Sequence, residues 1–278
     1  MDNYKQQVSE FFNRRTAYDL EGSRHPHEAK LLLKSVPLQE GQRILDVATG
    51  TGLVALPAAQ KVGLEGYVVG IDISPGMLHQ ARQKIEALGL KNIEVIQTDA
   101  DYLDCADESF DVIFYCSAIM YLTNIPAALQ KWYCWLKSGG FLAFSCAAET
   151  AYMATVQRRV CARLFDIKLP HINEPLGTPE KCHNLLKQAG FKDINVKIEP
   201  SGEYLSVNER SMSWTGSGFY PRGNPLLQLS PEQLARLQSE YRSVACAAAC
   251  VANLALLYQR LLAESFVPKH PPNLDRLD

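Results

Sequence analysis

The chain has 278 residues, with 30 acidic and 28 basic groups for a formal net charge of −2, 47% hydrophobic residues and 21% charged residues. That length can bury a full core as one large domain or two small ones, and a composition near the globular average excludes collagen, a long coiled coil and a disordered chain. Near-neutral charge speaks against a protein held electrostatically to a nucleic-acid backbone, and leaves a small-molecule enzyme and a protein-binding module both open.

The eight cysteines form no C-x-x-C pair, and most lie in apolar runs where a thiol behaves as a small hydrophobe. Buried free thiols in a reducing compartment are expected. Cys246 and Cys250 stand four apart on a predicted helix, but two ligands with no nearby His do not make a structural zinc site, so no metal is expected. The amphipathic N-terminal segment lacks a secretory apolar core. No window approaches the roughly 18 apolar residues of a membrane span. The expectation is a soluble, cytoplasmic chain, monomeric or homodimeric, with neither membrane nor nucleic acid as partner.

In chain order, residues 5–20 have helical periodicity, with Val8, Phe11, Phe12 and Arg15 on one face. Gly22 to Glu28 signals a turn, and a second helix is predicted from Ala29 to Val36, ended by Pro37 and Gly41. A strand from Arg43 to Ala48 enters Thr49-Gly50-Thr51-Gly52, and a helix follows from Leu53 to Lys61. Further strands are predicted at Gly66–Ile73, Ile93–Asp99, Phe110–Ser117 and Phe141–Ala147. Helices are predicted at Pro75–Leu88, capped by Ser74, and at Ile125–Leu136, closed by Lys137-Ser138-Gly139-Gly140. Strands alternating with helices, each strand a continuous apolar run, predict an α/β fold: a Rossmann-like parallel sheet covered on both faces.

Beyond residue 150 the pattern loosens. A helix over Thr150–Leu164, a loop over Leu169–Gly177, a helix over Pro179–Ala189 capped by Thr178, and a strand over Phe191–Glu199 are predicted. Residues 200–230, rich in Gly, Ser, Pro and aromatics, read as an insertion; Trp214 to Tyr220 within it is a candidate pocket wall. A long helix is predicted from Pro231 to Ala263, then a short last strand at Ser265–Lys269 and a loose tail. The expected organisation is an N-terminal helical cap (1–40), a core (41–199), an insertion or substrate lid (200–230) and a C-terminal helix, late antiparallel strand and tail (231–278).

The chemistry points to Ile44–Leu53, where a strand ends, a glycine turn follows and a helix begins. Gly50 and Gly52 let backbone approach a ligand without a Cβ clash, and ligands bind beyond the carboxyl ends of strands in open α/β sheets. Asp72, 20 residues after Gly52 at the end of the second strand, suits a ribose diol. Gly50-x-Gly52-x-x-Ala55 also satisfies a dinucleotide fingerprint, in which a pyrophosphate sits on a helix N-terminus. Three features favour S-adenosylmethionine over that cofactor. Asp46 would repel a pyrophosphate but can support the glycine loop or hold a methionine ammonium. Asp99, in Thr98-Asp99-Ala100, can accept from an adenine amine. The fourth strand ends in the polar-aromatic CSAIMY stretch, facing where a sulfonium would lie.

With LDVATGTG, GIDIS-x-x-ML (Gly70 to Leu78), TDA, SFDVI (Ser109 to Ile113) and LKSGG in this order and spacing, residues 40–200 resemble the class I S-adenosylmethionine-dependent methyltransferases, within the small-molecule group akin to ubiquinone/menaquinone C-methyltransferases. The resemblance implies that Ala48, Gly50 and Gly52 line the methionine and ribose, that Asp72 binds the ribose hydroxyls, and that Ile73 and Met77 pack on the adenine. It also implies that Asp99 holds the adenine amine with Ala100 beside it, and that Ser117 lies near the methionine end. Its late antiparallel strand is assigned to Ser265–Lys269.

Methyl transfer from a sulfonium needs alignment and exclusion of water more than a base. A base serves only where the nucleophile carries a proton of high pKa, so no fixed catalytic residue is implied. The candidates for that role are His25 and His27, flanking Pro26. Tyr18, Tyr121 and His171 are the candidate substrate contacts. The expected reaction is methylation of a small, partly apolar metabolite, with O-methylation favoured over N- or C-methylation. Two alternatives are a cyclisation or rearrangement that leaves the cofactor unconsumed, and a non-catalytic S-adenosylmethionine-binding partner protein.

Overall fold

The computed structural model describes residues 2–151, 154–201, 214, 220, 223–252 and 258–267. Seven strands form one sheet: β1 (Arg43–Val47), β2 (Tyr67–Asp72), β3 (Ile93–Gln97), β4 (Phe110–Cys116), β5 (Leu136–Ala147), β6 (Lys192–Ser201) and β7 (Tyr258–Phe266). Their order is β3-β2-β1-β4-β5-β7-β6. The first five are parallel, and β7 runs antiparallel to both β5 and β6.

The parallel strands are apolar on both faces because both faces are covered. Side chains alternate along a strand. Ile44, Val112 and Phe114 enter one core with α2 (Arg24–Ser35) and α3 (Ala55–Val62). Leu45, Val47, Ile113 and Tyr115 enter the other with α5 (Ile125–Trp135) and α7 (Pro179–Gln188). Trp132, 1% exposed, centres that second layer; burying a large apolar side chain contributes about 1.5–3 kcal/mol. A third cluster joins α6 (Ala154–Phe165) to α8 (Pro231–Ala252) through Cys161, Leu237, Tyr241, Trp214 and Tyr220.

The remaining helices are α1 (Asn3–Asn13) and α4 (Pro75–Leu88). As expected, Ser74 and Thr178 cap α4 and α7: their hydroxyls accept the Met77 and Lys181 N–H groups.

Four boundaries differ from expectation. The first helix stops at Asn13, whose side chain serves a neighbouring helix, and a separate short 3-10 helix spans Tyr18–Leu20. The second helix begins at Arg24, five residues early, so His25 and His27 lie in its first turn and not in a loop. Pro26 permits this, since the N–H it lacks has no partner in a first turn. Lys137 to Gly140 lie within β5, not in a helix cap. Finally, α8 ends by Ala252 and β7 begins at Tyr258, seven residues before the assigned strand. Residues 258–263 read equally as helix or strand because apolar residues fill both periods. The strand prevails because it fills the place between β5 and β6, pairing with both. Ala255 and the tail beyond Val267 lie outside the described residues.

Candidate active site

The strand order reverses between β1 and β4, and a cleft opens at their carboxyl ends. Beyond β1 the chain turns through Ala48 (φ +54°), Gly50 (φ +57°) and Gly52 (φ +85°). Left-handed backbone costs nothing at glycine and about 1–2 kcal/mol at Ala48. The turn is stapled from β2. Gly50 N–H donates to Asp72 Oδ2 at 2.8 Å, and Ser74 N–H donates to Asp72 Oδ1 at 2.8 Å. One carboxylate therefore holds the glycine turn and the start of α4 together. Burial pushes its pKa up to about 6, against those backbone N–H bonds.

Asp46 lies deeper, 1% exposed. Its Oδ2 accepts the Thr49 hydroxyl at 2.6 Å, while its buried Oδ1 has no hydrogen-bond partner. Burial pushes this carboxyl up to about 7, against the hydrogen bonds it takes from the Thr49 hydroxyl and the Ala55 backbone N–H. At the far end, Asp99 Oδ1 accepts Lys5 Nζ at 3.0 Å and the Asp101 N–H at 3.1 Å. Asp99 Oδ2 is buried and unpartnered. Lys5 Nζ also sits 2.7 Å from Asp101 Oδ2, so the buried lysine is paired twice.

Lys5 belongs to α1, which closes the cleft from above. Asn13 Oδ1 at its end accepts from Ser74 Oγ (2.7 Å) and Gly76 N–H (2.9 Å). Ser9 Oγ donates to Ile73 O at 3.2 Å. Past the helix, Lys84 of α4 pairs with Asp19 and donates to Thr51 O at 3.0 Å. The cap carries an aromatic wall: Phe12 packs edge-on against Tyr121 with ring centroids 5.5 Å apart, and Tyr18 stacks on His25 at 4.7 Å. Burial raises the Tyr18 phenol well above its ordinary range, with Arg15 over its ring opposing.

Of the expected cofactor residues, Asp46, Ala48, Gly50, Asp72, Ile73, Met77, Asp99, Ala100 and Ser117 line this cleft. Gly52 is not among its lining residues; a Cβ there would stand 1.8 Å from Leu56 Cδ1, so this glycine serves the packing of the turn on α3. Tyr18, Tyr121 and His25 line the cleft as well. His27 is exposed and outside the lining, because residues two apart on a helix point away from each other.

His171 sits elsewhere, on a second cavity of about 400 Å³ walled by Leu122, Ile125, Pro170, Pro175 and Tyr220. The Asn173 N–H donates to His171 Nδ1 at 3.2 Å, which places the ring proton on Nε2. Burial, together with Arg158, lowers its pKa. Tyr220, from the Trp214–Tyr220 stretch, walls this cavity, while Trp214 packs on Tyr241.

Sequence reasoning missed Lys5, Thr49 and Glu28. Glu28 is 2% exposed behind the cleft and accepts the Ser117 hydroxyl at 2.9 Å.

The donor set discriminates between the two cofactors considered. Three buried carboxylates line one cleft, and two of their oxygens, Asp46 Oδ1 and Asp99 Oδ2, await donors. A pyrophosphate brings acceptors and negative charge, which these groups repel. S-adenosylmethionine shares the exocyclic amine and ribose hydroxyls of a dinucleotide but brings an ammonium where the dinucleotide brings a pyrophosphate, and fits.

Comparison with known proteins agrees. Residues 44–140 match the family model described as a methyltransferase domain. Aklanonic acid methyltransferase DauC from Streptomyces sp. is 36% identical over 146 residues, which is 51% of this chain and 66% of that protein. The ubiquinone/menaquinone biosynthesis C-methyltransferase UbiE of Coxiella burnetii is 42% identical over 169 residues, 60% of this chain and 64% of that protein. The matched region thus spans just under two thirds of each relative's length. A crystal structure of a SAM-dependent methyltransferase from Aquifex aeolicus superposes with a TM-score of 0.51 at 24% identity, over 67% of this chain and 90% of that one, a likeness of fold. Among the described residues no helix is long and apolar enough to cross a membrane. Motif order, sheet order, site chemistry and relatives converge: residues 44–140 match a methyltransferase domain, and the chain is similar to methyltransferases over that region.

Proposed function

We propose that this chain transfers the methyl group of S-adenosylmethionine to a small, partly apolar metabolite by in-line displacement, with O-methylation favoured over N- or C-methylation. The observation that carries this reading is the pair of buried, unpartnered carboxylate oxygens, Asp46 Oδ1 and Asp99 Oδ2, at the two ends of one cleft. When bound, the cofactor supplies a methyl group already activated by its positive sulfur, which keeps the electron pair of the bond that breaks. The protein's task is then orientation and dryness. Asp99 takes the adenine amine, Asp72 the ribose hydroxyls and Asp46 the charge at the methionine end. Ile73 and Met77 pack the adenine, while Ala48 and Gly50 line the turn beside the ligand and Gly52 seats that turn on α3. Phe12, Tyr18 and Tyr121 wall the reacting end against water.

The acceptor enters between this wall and the second cavity, where Leu122, Ile125 and Pro175 take its apolar part and His171 offers a donor. Residues 1–40 act as the cap; the expected lid over 200–230 lies mostly outside the described residues. His25 faces the cleft and is the base of choice; His27 faces solvent. O-methylation is favoured because a base in the wall suits an oxygen that must shed a proton. Relatives named for quinone C-methylation and for aklanonic acid support a bulky small-molecule acceptor.

The test is to incubate the protein with S-adenosylmethionine and, in turn, aklanonic acid and a demethylmenaquinone. S-adenosylhomocysteine release with a product one methyl group heavier is expected from at least one, with the new methyl on oxygen. Absence of S-adenosylhomocysteine with either acceptor and with a broader panel of phenols and acids contradicts the reading. An altered acceptor with S-adenosylmethionine unconsumed would replace it with a cyclisation.

A further inference from the structure

Behind the cleft wall lies a buried carboxylate to which the proposed function gives no part. Glu28 lies on α2 one turn beyond His25, and it is almost wholly enclosed. Its Oε2 accepts the Ser117 hydroxyl at 2.9 Å and stands 3.7 Å from His25 Nδ1. Both groups it reaches line the cleft, while Glu28 does not. Ser117 adopts φ +61°, a conformation that side-chain-bearing residues rarely take. It is held there by Ser145 Oγ on its N–H (3.1 Å) as well as by Glu28 on its hydroxyl. Strain held in place beside a cleft points to function.

The imidazole is equally constrained. Arg24 donates to His25 Nε2 at 2.9 Å, and guanidinium has no acceptor, so Nε2 carries the lone pair and Nδ1 the proton; Glu28 Oε2, 3.7 Å from Nδ1, is at ion-pair and not hydrogen-bond distance. Tyr18 stacked at 23° fixes the ring plane. The charged and titratable groups around this stack are Arg15, Arg24, Glu28, Cys116 and Tyr121.

We propose that Glu28 is a positioning residue: it holds His25 as the Nδ1–H tautomer and so presents Nε2 as the proton acceptor of the site. This rests on the methyltransferase reading and deepens it. The acceptors it suits still carry a proton on the atom to be methylated, as a hydroxyl or an enol. Arg24, a third exposed, moves off Nε2 when such an acceptor arrives. The O–H bond then breaks, its proton passes to Nε2, and the oxygen keeps the electron pair for its new bond to carbon. The imidazolium so formed faces the Glu28 carboxylate, which offsets its charge.

The experiment is ¹⁵N NMR of the imidazole of His25, assigned by its loss in His25→Gln, in the full chain at alkaline pH. The wild type is expected to show the Nδ1–H tautomer, and Glu28→Gln to shift the tautomer ratio at least fivefold toward Nε2–H. Calorimetric binding of S-adenosylhomocysteine within about threefold of wild type shows that the variant's cleft is intact. An unchanged ratio in a variant that binds overturns the proposal. If Glu28→Gln does not fold, the wild type decides alone, since an Nε2–H tautomer there overturns it. Failure of the wild type to bind S-adenosylhomocysteine would instead count against the methyltransferase reading, while the tautomer remains readable.

Discussion

Asp46 and Asp72 are carboxyls held above their ordinary range by burial, near 7 and near 6 against an ordinary 3.8. An acid raised in this way holds a proton in the folded state that the unfolded state has already released. Stability is therefore full below about 3.8 and is lost as pH rises toward 7. For Asp46 the gap is on the order of 4 kcal/mol at pH 8. Asp46→Asn is expected to raise the melting temperature at pH 8, with the gain vanishing toward pH 4, and to weaken S-adenosylmethionine binding. Thermal melts at the two pH values check the sign. A variant less stable at pH 8 would contradict the burial argument. The three acids were legible in sequence because each stands at or just past the end of a strand, beside a turn. Lys5 and Glu28 were not: their partners Asp99 and Ser117 lie 94 and 89 residues away, and no local pattern encodes that.

Among the elements, α1 is attached to the core by few but buried polar contacts. Lys5→Met leaves Asp99 and Asp101 facing each other without their cation, and removing one partner of a buried pair costs about 3–5 kcal/mol. Faster hydrogen exchange at the α1 amides, with the β1 and β4 amides unchanged, is the expected signature; uniform exchange would mean that the cap is not a separate unit. The glycine turn is tested by Gly52→Ala. Its φ of +85° and the Leu56 side chain in its path predict a loss of about 1–3 kcal/mol by denaturant melts. Gly50→Ala meets no atom within 4 Å and loses only the backbone term. The helices of the core were legible from period and N-caps, though the Lys137–Gly140 cap expected for α5 belongs to β5. The start of α2 was not, because H-P-H-E satisfies the rules for a turn and for a first helical turn alike, and packing of Ala29, Leu32 and Leu33 decides between them.

At the scale of the molecule, β7 is the strand that closes the sheet. It lies between β5 and β6, so the last described strand carries β6 to the rest of the fold. Truncation after Ala252 is expected to abolish the cooperative thermal transition in circular dichroism; a native-like melt would show β6 to be held by α7 alone. The parallel core was legible because each βα unit is local. The place of β7 was not, since its pairing depends on strands far away in sequence. The central claim is that three strand-end acids form one site for S-adenosylmethionine. Its most direct test is calorimetric binding of S-adenosylmethionine to the wild type and to Asp72→Ala at one salt concentration. Binding to the wild type and a loss on the order of 1.5–3 kcal/mol in the variant are expected, roughly tenfold to over a hundredfold in affinity. No binding to the wild type, with tight binding of NAD in its place, would contradict it.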